Sequence, residues 1–367
     1  MSNELKLGAD WKSVTVTRCA DVLLLKYINT ENNRISLMVH DPSTGDEYEL
    51  PLRHMPFEGG PLFDRGRSEL VYGTRNEIVA YGFRQAKERE RVVAVLDRRH
   101  QELNSLIRKI WLAPDDPSIF YVMSEESRPS QLEIERLAIN SPGKTIRVTT
   151  RITTDLSKWV AGSSAPEQIA RFEERLLSVD IDWRRKLFYA LLGLKEIRQL
   201  NLATRETRSL WSTHPVNGLT LSPKGSLITW NSTHPEFGIM EVSDDGSMTT
   251  VADFGKDASF SPDGAKMIFF RGSRDLWIKY ENGDVEMIAA LPGVKELFGI
   301  FPVWCSCNRH LAVHLGLPTL TPRIDFLLII DISRKEVLVK AAAEKRFPEK
   351  LWVPGIVCEA SSEGGLP

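Results

Sequence analysis

Ala258-Ser259-Phe260-Ser261-Pro262-Asp263-Gly264-Ala265-Lys266-Met267-Ile268-Phe269-Phe270 decides how the rest of the chain is read. Two short β-rich runs flank Ser-Pro-Asp-Gly. Pro presets φ at one turn position and Gly supplies a positive φ at another, so the stretch is a hairpin. Gly218-Leu219-Thr220-Leu221-Ser222-Pro223-Lys224-Gly225-Ser226-Leu227-Ile228-Thr229-Trp230 repeats the frame 39 residues earlier.

Weaker copies fall into the same register. Ile110 to Asp116 precedes Ile119-Phe120-Tyr121-Val122, and Val179 to Arg185 precedes Leu187-Phe188-Tyr189-Ala190. Pro61 to Gly66, Val303 to Asn308 and Val14 to Arg18 each precede a further apolar run. The turns start at Thr17, Asp64, Ala113, Asp182, Ser222, Ser261 and Cys305, spaced by 47, 49, 69, 40, 39 and 44 residues. One spacing is long, by an insertion of about 25 residues; the others fit the roughly 40–45 residues of a four-stranded propeller blade. Second hairpins follow, as in Asp275 to Tyr280, Glu281-Asn282-Gly283-Asp284 and Val285 to Ile288. Seven anchors with four strands each predict an all-β, seven-bladed β-propeller, one domain over residues 1–367.

The Ser261-Pro262-Asp263-Gly264 segment with Asp275-Leu276-Trp277, and its degraded copy at Leu221 to Gly225, resemble the WD40-like PD40 repeats of TolB-type β-propellers. The resemblance is strong in two blades. It implies fold, since propellers of this kind host many functions.

Two terminal stretches are candidates for closing the ring: residues 345–358, with Leu351-Trp352-Val353, and Leu5-Lys6-Leu7. Residues 151–174 break the blade pattern. Ser164-Ala165-Pro166-Glu167 has capping-box spacing, and Ile169, Phe172 and Leu176 follow at helical spacing. A short inserted helix is expected there.

Composition limits function. Lys+Arg total 47 against 49 Asp+Glu, a net charge of -2, so no global field steers the chain to nucleic acid or a membrane surface. No basic segment followed by an apolar core opens the sequence, and four cysteines suggest no disulfide framework. A cytoplasmic protein is the expectation. Gly-x-Ser-x-Gly, P-loop and dinucleotide motifs are missing from the sequence.

Cys305, Cys307, His310 and His314 resemble a metal-ligand run. The repeat frame puts both histidines on one strand, about 13 Å apart, too far for one ion. No metal and no cofactor are therefore expected. Ser212-Thr213-His214-Pro215 and Ser232-Thr233-His234-Pro235 are a better pair. One joins two blades, and the other joins strands two and three of the next blade. In an up-and-down sheet these loops leave by the same end. Arg271 and Arg274 occupy the equivalent loop one blade on. Imidazole and guanidinium groups suit anion recognition, so His214, His234, Arg271 and Arg274 are the candidate ligand-binding residues. Turn formation by Ser/Thr-His-Pro is the structural account of the same residues. The tryptophans at blade-repeat positions, Trp111, Trp183, Trp230, Trp277 and Trp304, read as core between blades.

With no strong catalytic constellation, the sequence suggests a non-enzymatic propeller that engages a protein or peptide through the rim carrying His214, His234 and Arg271. The alternative is a metal-dependent propeller lyase or hydrolase acting on an acidic sugar.

Overall fold

The computed structural model describes residues 165–272 and 275–290 without a break. Elsewhere between residues 11 and 344 it describes the strands named below and a few turn residues. Among the described residues the chain forms seven four-stranded antiparallel sheets, each a meander in chain order. The first holds β1 (Trp11–Cys19), β2 (Val22–Asn29), β3 (Ile35–His40) and β4 (Glu47–Glu49). The second holds β5 (Leu62–Asp64), β6 (Glu69–Gly73), β7 (Glu77–Gly82) and β8 (Glu90–Val95). The third holds β9 (Leu106–Leu112), β10 (Ile119–Pro129), β11 (Thr150–Val160) and β12 (Glu167–Phe172). The fourth holds β13 (Leu176–Asp182), β14 (Leu187–Leu192), β15 (Glu196–Asn201) and β16 (Thr207–Trp211). The fifth holds β17 (Gly218–Leu221), β18 (Leu227–Trp230), β19 (Ile239–Val242) and β20 (Met248–Ala252). The sixth holds β21 (Gly255–Phe260), β22 (Lys266–Arg271), β23 (Asp275–Tyr280) and β24 (Val285–Ala290). The seventh holds β25 (Phe298–Trp304), β26 (His310–Leu317), β27 (Ile324–Asp331) and β28 (Glu336–Glu344).

The second strands are apolar almost throughout because each is covered on both faces. In β14, Phe188, Ala190 and Leu192 pack on the third sheet with Trp111, Met123 and Phe172. The intervening Tyr189 and Leu191 pack on the fifth with Leu219, Leu227 and Val242. In β22, Met267 and Phe269 meet Ile228 and Trp230 of the fifth sheet. Ile268 and Phe270 meet Trp304, Leu311 and Val313 of the seventh. The strand period of two thus distributes alternate side chains to two interfaces. Each fully buried side chain of this size contributes roughly 1.5–3 kcal/mol. Outer strands such as β16 are mostly exposed. The first strands touch across sheets, β5 with β9, β13 with β17, β17 with β21 and β21 with β25, which sets them innermost. β28 lies beside β1, so the last sheet neighbours the first. This is a β-propeller-like arrangement.

The turns follow the chemistry of their residues. Gly264 N–H donates to Ser261 O (2.8 Å) and Gly225 N–H to Ser222 O (2.9 Å), with φ of +70° and +97° at the two glycines. At the fourth sheet Asp182 replaces Ser: its Oδ1 accepts from the N–H groups of Arg184 (3.0 Å) and Arg185 (3.1 Å), and Lys186 takes the positive φ, 55°.

The inserted helix expected within 151–174 does not form: β11 and β12 run through that segment. The helical spacing of Ile169 and Phe172 has another cause. Leu156 pairs with Ala170 and Ser157 with Gln168, so Ile169 is the extra residue of a β-bulge. A bulge shifts the period by one and puts residues three apart on the same side. Ile169 and Phe172 are both buried, in the same cluster. The Ala165-Pro166 pair lies in the turn between β11 and β12; Ser164 lies outside the described residues. The extra length of the third repeat falls instead between β10 and β11, residues 130–149, also outside the described residues, as are 345–358 and Leu5 to Leu7. Among the described residues the only helical element is one 3-10 turn, Pro235–Phe237. No described helix is long and apolar enough to cross a membrane.

Candidate functional site

β16 delivers the chain into the first histidine loop. Ser212, 6% exposed, closes it: its N–H donates to Lys195 O (2.8 Å), and its Oγ donates to His214 O and accepts from His214 N–H (3.2 Å). The second loop leaves β18 at Asn231, 2% exposed. Asn231 Oδ1 accepts from the N–H groups of Thr233 (2.9 Å) and His234 (3.0 Å) and from Thr233 Oγ1 (2.7 Å). Its Nδ2 donates across to Pro215 O of the first loop (2.9 Å). Asn217 answers in the other direction, its Oδ1 accepting from Ser232 N–H (2.9 Å). Two asparagines therefore lash the loops together. Sequence reasoning passed over both; their signal is an Asn two residues after His-Pro and an Asn one residue before Ser-Thr-His-Pro.

The loops bring His214 and His234 to a common neighbour. The His214 ring stacks on Phe237, centroids 5.0 Å apart and 13° between planes; His234 lies 5.7 Å from the same ring. Both histidines are exposed. His234 Nδ1 is 3.0 Å from Glu236 Oε1. Glu236 is held below the usual carboxylate range by its own backbone N–H, then by His234. Arg271 ends β22 on the neighbouring sheet. It is exposed, its guanidinium is 5.1 Å above the Trp277 ring, and it forms no ion pair with another described residue. Arg274 lies outside the described residues. Trp211 (63% exposed), at the end of β16, and Phe254 (55%), in the connection leaving the fifth sheet, add aromatic surface.

Behind the rim, Asp257 is half-buried on β21. Its Oδ1 accepts from Ser232 Oγ (2.8 Å) and Trp230 Nε1 (3.2 Å). Burial pushes its carboxyl above the ordinary value, while Ser232, Lys256 and Trp230 pull it back. Asp257 has φ +54° inside a β-bulge between Lys256 and Ser259. Gly218 is required opposite: a Cβ there would stand 2.3 Å from the Trp230 ring.

Among the described residues no three His, Cys, Asp or Glu side chains gather into a metal site. His310 and His314 both lie on β26, four positions apart along one strand; Cys305 and Cys307 lie outside the described residues. Glu125 and Glu126 are buried within β10. Glu125 pairs with Arg108 (2.6 Å) and Arg175 (3.5 Å), Glu126 with Arg171 (3.9 Å). The opposite end of the sheets carries a groove of about 490 Å³ between the fourth and fifth sheets. Arg185 anchors it, bound to Asp182 Oδ2 (2.6 Å), Asp244 (2.9 Å), Tyr189 Oη (3.1 Å) and Gly225 O (2.8 Å).

No family model matches the sequence. No curated protein matches it either. Among solved structures the fold is similar to that of puromycin hydrolase, with a TM-score of 0.63 at 12% identity, over 95% of this chain and 57% of that one. The chain thus spans little more than half the length of this neighbour. The likeness supports the propeller architecture, while the PD40 repeat resemblance finds no matching family model. It overturns the expectation of a non-enzymatic scaffold, because the neighbour is a hydrolase. The hydrolase alternative fares better, though the neighbour acts on puromycin and not on an acidic sugar.

Proposed function

We propose that the protein serves hydrolysis, as a seven-bladed, single-domain β-propeller over residues 1–367 that holds the substrate of a hydrolase. The observation that carries this reading is the structural likeness to puromycin hydrolase over 95% of the chain. The substrate class drawn from it is a small amide-bearing molecule with aromatic character. The rim suits such a ligand: His214 stacked on Phe237, with His234 tilted beside the same ring, offers an aromatic face, and Arg271 offers charge for a polar group. Asn231 and Asn217 hold that face in place before a ligand arrives, which reduces the ordering cost of binding.

The test is hydrolysis of puromycin, with simple aromatic aminoacyl amides beside it, by full-length protein purified with whatever accompanies it, read by liquid chromatography. Turnover is expected, with KM raised about tenfold or more and kcat less affected in the His214→Ala, His234→Ala double variant. No turnover of any of these amides would overturn the hydrolytic reading. Turnover with unchanged KM in the double variant would remove the rim from the site.

A further inference from the structure

Asp257 takes its positive φ, +54°, inside strand β21. The other described non-glycine residues with positive φ, Lys186, Arg205, Phe254, Asn308 and Lys335, all lie between strands. That region is disfavoured for any residue with a Cβ, least so for Asn and Asp. A bulge alone does not demand it: Leu177, the extra residue of the bulge in β13, does without it. The carboxyl shows what the strained backbone secures. Oδ1 accepts from Trp230 Nε1 (3.2 Å) at the end of β18 and from Ser232 Oγ (2.8 Å) in the second histidine loop. Both donors belong to the fifth sheet and the acceptor to the sixth. The Pro235–Phe237 turn of the same loop lies against β21. The two sheets are in close contact here, since a Cβ at Gly255 would stand 2.6 Å from Ile239 Cδ1. Asn231 ties the loop to the first histidine loop, and Asp257 ties it to the next sheet.

We propose that Asp257 is a positioning residue, whose strained backbone and Ser232 contact set His234 and Phe237 in the geometry that meets a ligand. It acts through Ser232 and the Pro235–Phe237 turn. Backbone strain persists where the surrounding structure over-determines it, and it collects at sites that need a fixed geometry. Here the strain is borne on the sixth sheet, while the order it produces is delivered to a loop of the fifth. The role of Asp257 rests on the reading of the rim as the binding face. Its effect on the loop is measurable without any ligand.

Full-length Asp257→Gly and Asp257→Asn variants are compared with the unaltered protein by amide hydrogen exchange and by turnover of puromycin. Glycine relieves the φ and removes both hydrogen bonds. Exchange over residues 232–238 should then be about tenfold faster, with β14 and β22 unchanged. Asparagine tolerates the positive φ and offers an amide oxygen to the same two donors, so its exchange should match that of the unaltered protein. KM should rise about fivefold at constant kcat in Asp257→Gly and return in Asp257→Asn. If the unaltered protein turns over no amide, the hydrolytic reading alone fails, and exchange decides the role of Asp257. Exchange over 232–238 that is no faster in Asp257→Gly, or that rises equally in β14 and β22, would overturn the proposal. So would an Asp257→Asn variant as fast as Asp257→Gly, or an active Asp257→Gly variant with unchanged KM.

Discussion

Asn231 shows how much one side chain can govern. Its amide spends the oxygen on the second histidine loop and the nitrogen on the first, from a position almost without solvent. Asn231→Ala leaves the Thr233 and His234 N–H groups and Pro215 O without these partners. A loss of about 1–3 kcal/mol is expected, the cost of unpaired buried polar groups, read from the denaturant midpoint. The same variant should loosen the stack on Phe237 and raise KM for any ligand bound there. At this scale the sequence was legible in part. The His-Pro pairs announced themselves by repetition, and the alternation of strands said they leave by one end. The asparagines did not, because a residue that holds two loops together through space carries no periodic mark. Nor did Asp257, whose carboxyl is raised by burial at a bulge while Trp230 of the neighbouring sheet pulls it back.

Among the elements, the third sheet is where pattern reading failed and where it can be checked. β10 and β11 have eleven residues each, while β18 has four. One extra residue, Ile169, makes a strand imitate a helix for a single turn. Phe172, 3% exposed, then packs 6.1 Å from Phe188 of the fourth sheet. Phe172→Ala is expected to cost about 3–5 kcal/mol by opening a cavity between the sheets. A surface helix over these residues would tolerate the change far better, so the denaturation midpoint separates the two descriptions. The hairpins were legible for the opposite reason. Ser-Pro-x-Gly at Ser222 and Ser261 states its dihedral angles outright. Even the degraded copies kept a polar turn-former, Asp182, with Lys186 accepting the positive φ that Gly supplies elsewhere.

For the molecule as a whole, each described interface joins sheets consecutive in sequence, apart from the approach of β28 to β1. Cutting the chain before β25 would uncover β21 and take β28 from β1 together. A chain ending at residue 297 should therefore lose its cooperative thermal transition and self-associate, visible by calorimetry and sedimentation. A monomeric product with an unchanged transition would mean that the first and last sheets do not support each other. The recurring four-stranded antiparallel sheet was readable from turn spacing. Function was not, because these strands are shaped chiefly by the packing of their sheets, and no spacing in the sequence marks what the exposed loop residues would meet.

Arg185 has a mechanical meaning. Its guanidinium grips Asp182 in its own turn, Gly225 in the first turn of the following sheet and Asp244 in that sheet's second turn. Such a rivet couples two neighbouring petals at the end away from the histidines. They can splay only at the far end, so a guest wedging itself between the imidazole loops would pivot them about a fixed hinge and leave the riveted end shut.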